Sequence, residues 1–160
     1  MIVNYGTGFA VKPRASMRQR VDQLEAAGMN FPQVDCPVRH YFAPGLFARE
    51  MSIPAGTCVT GAVHRTENLV CVSMGRLQIV TEDGTREVVA GETLTCKAGM
   101  KNAVYTLEDS RWTNFFANPT NETNIDKLIE MLSFSTASEL LGGADNKQLA
   151  ANRAAEIQGA

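Results

Sequence analysis

Between residues 37 and 116 the chain keeps a hydrophobic period of two and is cut at short intervals by turn residues. That combination leaves few folds open. Pro44-Gly45, Pro54-Ala55-Gly56, Asp83-Gly84 and Ala98-Gly99 supply the breaks. The segments between them, 38–42, 46–53, 59–64, 68–74, 76–81, 85–89, 93–96, 103–107 and 111–116, are short and predict strands. Asp83-Gly84 between two such runs is a hairpin signal. Many short strands at this spacing predict an all-β core, an antiparallel sandwich or barrel.

The flanks read differently, and three regions are expected: 1–36, 37–117 and 118–160. Residues 1–15 carry scattered Gly and Pro with no clear period and suggest an extended arm. Ser16 with Gln19 then makes a capping box, and Met17, Val21 and Leu24 follow at helical spacing until Gly28. A face this narrow needs the outside of the barrel or another subunit to pack on. After Phe116 comes a loop, 118–123, and Thr123 with Asp126 is placed to cap a helix bearing Ile125, Leu128, Ile129 and Leu132. Residues 134–160 are poorer in large apolar groups. Within them 145–157 has helix propensity but little to bury.

Composition narrows the partners. At 160 residues, 44% hydrophobic and 20% charged, the chain is an ordinary one-domain protein with enough length for a core. A formal charge of −2 argues against nucleic acid as a main partner. Lys12, Arg14, Arg18 and Arg20 cluster, which we read as a solvated helix start rather than a binding patch. Cys36, Cys58, Cys71 and Cys96 show no zinc spacing and read as free, buried thiols. No stretch has the apolar length of a signal peptide core or a membrane span, so a cytosol, or a particle assembled in one, is expected.

The centre of the β region is GTCVTGAVHRTENLVCVSMG, residues 56–75. Read as two strands and a polar corner, it places Thr60, Ala62 and His64 on one face, and Asn68, Val70, Val72 and Met74 on another. The stretch resembles the first motif of the cupin superfamily. Gly56 and Gly75 stand at its glycine places and His64 at its second histidine. Ala62 stands where the first histidine is usual, and Asn68 where glutamate is usual. Residues 91–106 resemble the second motif. Gly91 and Gly99 fit it, while Lys97, Asn102 and Thr106 replace proline, histidine and asparagine.

A wider resemblance, over about residues 32–130, is to small cupin-like proteins encoded by tailed bacteriophages. It is carried by PQVDCPVRHYFAPGLFAREMSIPAGT, GAVHRTEN, TEDGT and EDSRWTNFF. These resemblances imply a cupin-type double-stranded β-helix, a jelly-roll barrel, with an N-terminal helix and C-terminal helices. They also imply a phage origin, with virion or host cytoplasm as location.

The four positions that hold metal in cupins are Ala62, His64, Asn68 and Asn102 here, a poor donor set for zinc or iron, so no metal or other cofactor is expected. Glu67 should point away from the pocket by strand parity. A set of His40, His64 and Glu67 would need a bulged corner. His64 reads either as a general base or as one member of a satisfied hydrogen-bond network with the asparagines. Arg49 alternates with Phe47 and Met51 and so points inward, toward a carboxylate or phosphate ligand or toward Glu50, Glu67 or Asp109. Cys58 and Cys71 read as core, and Trp112, Phe115 and Phe116 as core or interface.

The pocket candidates are therefore His64, Asn68, Asn102 and Arg49, with no catalytic residue among them. The expectation is a non-catalytic protein working through its surfaces, virion-associated or in assembly. It would be homo-oligomeric, with other virion subunits as further partners, and would have no membrane contact. The alternatives are a metal-dependent cupin enzyme (dioxygenase, isomerase or epimerase), or a phage accessory protein holding an anionic ligand with Arg49, Lys97 and Lys101.

Overall fold

The structure, a computed structural model, describes residues 16–81 and 84–134. The expected arm at 1–15 and helix at 145–157 lie outside the described residues. The elements run α1 (Met17–Gly28), β1 (Val38–Ala43), β2 (Gly45–Ile53), β3 (Cys58–Thr60), β4 (Asn68–Met74), β5 (Arg76–Thr81), β6 (Gly84–Val89), β7 (Thr93–Cys96), β8 (Ala103–Thr106), β9 (Ser110–Asn118) and α2 (Ile125–Leu132).

The strands form a five-stranded sheet in the order β1-β2-β9-β4-β7 and a four-stranded sheet in the order β3-β8-β5-β6. All pairings are antiparallel. From β2 onward the chain changes sheet at each connection except the β5–β6 hairpin, where Thr81 pairs with Gly84. Strand β9, the last of the described strands, returns between β2 and β4. That is jelly-roll connectivity, the cupin-type double-stranded β-helix.

Period two now has a spatial meaning. Met51 and Ile53 on β2, Val72 on β4, Leu77 and Ile79 on β5, Val88 on β6 and Val104 on β8 meet between the sheets, with Cys36 closing one end. Val72, Leu77 and Val88 have no exposed surface, and truncating one such leucine to alanine costs about 2–5 kcal/mol. On β4 the inward row is Asn68, Val70 and Val72. A bulge between Val72 and Met74 breaks the row, and Met74 is exposed.

Helix α1 packs on the outside of the barrel. Its capping box forms as expected: Ser16 Oγ accepts from Gln19 N at 3.2 Å and Gln19 Oε1 from Ser16 N at 2.9 Å. Met17 and Val21 bury against Ala103, with Val80 and Met100 alongside. Leu24, expected on the same face, is exposed, because charge anchors that end instead. Lys101 Nζ donates to Asp22 at 2.8 Å and also to Glu25, and Glu25 accepts from Thr60 Oγ1 at 3.0 Å.

Other expectations need correction. The segment 59–64 is a strand only to Thr60. There Gly61 N still reaches Asn102 O at 2.9 Å, and the backbone then turns to pair with the C-terminal chain. Arg65 N donates to Leu132 O at 2.8 Å and Phe134 N to Val63 O at 2.9 Å, leaving His64 in a bridge with Ser133. Helix α2 is capped by Asn124, whose side chain accepts from Lys127 N at 3.1 Å, and not by Thr123. The N–H of Thr123 is instead taken by Glu122 Oε1, at 3.0 Å. Cys58 is exposed opposite Tyr105 on an outward row, and Cys71 is half-buried on the outward row of β4, so neither is core.

The glycines at the four motif places, Gly56, Gly75, Gly91 and Gly99, all have positive φ. Gly75 also lacks room: a Cβ there would lie within 3 Å of Asp109 O and of Ser110 Oγ and Cα. Gly45 has a similar φ, +74°, with open space around it. Gly45→Ala should therefore cost only the left-handed penalty of about 1 kcal/mol. Gly75→Ala should cost about 2–4 kcal/mol, adding backbone overlap to that penalty. Equal losses for the two variants in urea unfolding would refute this account of the β4–β5 corner.

Candidate functional site

The inward row of β9 is Trp112, Asn114 and Phe116, and the sheet sets it beside the inward rows of β2 and β4. A hydrogen-bonded chain results. Trp112 Nε1 donates to Asn114 Oδ1 at 2.9 Å, and Asn114 Nδ2 donates to Asn68 Oδ1 at 2.8 Å. Asn68 Nδ2 lies 3.0 Å from His64 Nδ1 and also reaches Thr66 O at 3.4 Å. Asn68 and Asn114 are buried, so these bonds satisfy amides that would otherwise destabilise the fold. Asn114 was not among the residues singled out from the sequence. Its only signal there was an amide between two aromatics on one face of a strand.

His64 sits edge-on to Phe116, ring centroids 5.1 Å apart, where Phe116 and Phe47 stack under Leu128 and Leu132 of α2. The amphipathic face read at 125–132 thus covers the aromatic end of the barrel. Arg65 follows the same chain: its Nε donates to Ser133 O at 2.7 Å and its guanidinium lies 4.1 Å above the Phe134 ring.

Arg49 lies on the inward row of β2 between Phe47 and Met51, as expected, and burial draws its guanidinium down to about 10. Of the carboxylates considered for it, Glu50 faces the other way and meets Tyr41 Oη at 3.3 Å and Arg111. Asp109 accepts from Ala55 N at 2.8 Å, and Glu67 is exposed. His40 pairs across β1–β2 with Arg49 and stacks on Phe47 at 5.7 Å. Asn102 donates to Cys96 Sγ at 3.1 Å, and burial pushes that thiol up, so the sulfur accepts as a neutral group.

The structure therefore joins His64 to Asn68 directly and places Asn102 with Cys96 instead. Lys101, considered for an anionic ligand, is engaged by α1. There burial opposes its charge, but the hydrogen bonds it donates to Asp22 and Glu25 prevail and raise its pKa. Lys97 is exposed. Thr106 is fully buried and accepts from Thr57 N at 3.0 Å, a structural role at the β3–β8 end.

The donors do not suit a metal. Ala62 offers none, Asn68 and Asn102 are neutral amides already bonded, and His64 Nδ1 is occupied by Asn68. Among the described residues no three His, Cys, Asp or Glu side chains gather, and His40, His64 and Glu67 are not brought together. Nor is any described helix long and apolar enough to cross a membrane.

No family model and no curated protein matches the chain. Among solved structures, it is similar to KdgF from Halomonas sp. at 16% identity over 57% of this chain and 85% of that one, TM-score 0.48. The cupin-2 domain of an XRE family transcriptional regulator from Enterobacter cloacae gives 12% identity, 54% and 99% coverage, and TM-score 0.47. Ectoine synthase from P. lautus gives 16% identity, 54% and 67% coverage, and TM-score 0.47. These identities are too low for an activity or ligand to pass from any of the three to this chain.

Burial, and then the charge of Arg49, pull His64 down to about 4. The unfolded chain, with an ordinary histidine near 6.5, then binds more protons between those values. The stability from a neutral His64 is complete above pH 6.5 and is lost as pH falls toward 4. His40, lowered by burial and Arg49, acts in the same sense. Over this window His64→Gln should lose on the order of 2 kcal/mol less stability than wild type. Identical pH–stability curves for the two proteins would refute the buried, neutral histidine.

Proposed function

We propose that this protein is non-catalytic, that it acts through its surfaces, and that its working form is a homo-oligomer joined across the outer face of the five-stranded sheet. One observation carries the reading: the barrel interior is filled by the chain itself. The polar chain from Trp112 to His64 engages its own members, and α2 packs onto Phe47 and Phe116. In contrast, the outer face exposes Tyr41, Leu46 and Leu69, the first two lining a shallow cleft of about 330 Å³ together with Ala48, Cys71 and Phe115. Large apolar side chains grouped on one face are what an oligomer buries. A two-fold axis on such a face would let each copy cover the other. The finer part of the proposal, a virion-associated or assembly role in a phage particle or its host cytoplasm, rests on the sequence resemblance over residues 32–130.

Two measurements test it. Elemental analysis of the purified protein should find no metal near one equivalent, and stoichiometric iron, zinc, manganese or nickel would favour the enzyme reading instead. Leu46→Arg with Leu69→Arg should shift sedimentation from oligomer to monomer while changing monomer stability by no more than about 0.5 kcal/mol per site, since both residues are exposed. A wild-type protein that sediments as a monomer would defeat the oligomer.

A further inference from the structure

The chain Trp112–Asn114–Asn68–His64 has a direction, and its ends decide it. An indole N–H can only donate, so the atom of Asn114 that meets Trp112 must be its oxygen. The Asn114 amide nitrogen then points to Asn68, which must answer with its own oxygen. Asn68 is left with its nitrogen toward His64, and that orientation is supported independently by Thr66 O, which can only accept. Turning both amides over would set N–H against N–H at Trp112 and oxygen against oxygen at Thr66. Such an arrangement is unfavourable in a buried site, where neither group can turn to water.

We infer that Trp112 is a positioning residue: through Asn114 and Asn68 it holds His64 as the neutral ring with its proton on Nε2 and its Nδ1 lone pair occupied. His64 then offers the barrel a hydrogen-bond donor rather than a metal ligand or a base. For Nε2 to bind a cation, the ring proton would have to move to Nδ1, where it would face the Asn68 amide protons. The inference rests on the reading of the interior as a filled polar core, but its failure and that reading's failure are separable. The first is decided by the ring proton, the second by metal content and oligomeric state.

The test is nuclear magnetic resonance on the full chain labelled with nitrogen-15, at neutral pH. The expected wild-type spectrum shows His64 as a single Nε2–H tautomer, with a trans-hydrogen-bond coupling from the Asn68 side-chain amide to an unprotonated Nδ1. An Nδ1–H ring, or an averaged ring without that coupling, would overturn the inference. Asn114→Asp tests the relay. A carboxylate at 114 still accepts from Trp112 but can no longer donate, so the relay requires Asn68 to turn its nitrogen to 114 and its oxygen to His64, giving up only the long 3.4 Å contact with Thr66 O. The ring proton should therefore move to Nδ1, although residue 114 does not hydrogen-bond the ring. A folded Asn114→Asp protein that keeps the Nε2–H pattern would refute the relay. Should that variant not fold, the wild-type coupling decides.

Discussion

Strand β9 is the piece on which the rest of the structure depends. It is the last of the described strands, yet it lies between β2 and β4 and pairs with both along most of its length. Until it inserts, β2 and β4 expose unpaired edges, and the inward rows of the five-stranded sheet have no middle. This pairing is what puts Asn114 against Asn68, a contact 46 residues apart in the chain. Contacts of that separation carry a loop-closure cost that only cooperative burial offsets.

The polar chain in the barrel follows from that insertion. Buried hydrogen-bond networks stabilise only when every member is satisfied, and this one runs from a donor-only indole to a histidine nitrogen without a gap. The charge of Arg49 on the neighbouring strand disfavours a second positive charge on His64, and so does burial. The two influences agree, and the interior is arranged for a neutral imidazole. Of the four positions that resemble a cupin metal set, His64 and Asn68 bond to one another, Asn102 bonds to Cys96, and Ala62 has no polar side chain.

The far side of the site is closed by a contact of a different kind. The backbone of 63–65 leaves its strand and pairs with 132–134, just after α2, so the helix is fastened over the aromatic end of the barrel by main-chain bonds as well as by Leu128 and Leu132. Much of this was legible beforehand. The strands at 68–74, 76–81 and 93–96, the capping box at Ser16 and the apolar face of α2 all follow from local rules of period and capping. The early end of β3 was not legible. Ala62, Val63 and His64 continue the strand pattern, and only the arrival of a sequence-distant segment draws them off it. Leu24 misled for a related reason: helical spacing says which residues share a face, not how far the surface beneath extends.

The sequence alone settled what depends on neighbours along the chain: an all-β core, its turn glycines, the capping box at Ser16, and alanine and asparagine at positions where the resembled motif has metal-binding side chains. Only the tertiary structure decided what those asparagines do. Whether an amide donates or accepts depends on the group opposite it. For Asn68 and Asn114 that group is supplied from another strand, so no reading of one segment could have oriented them.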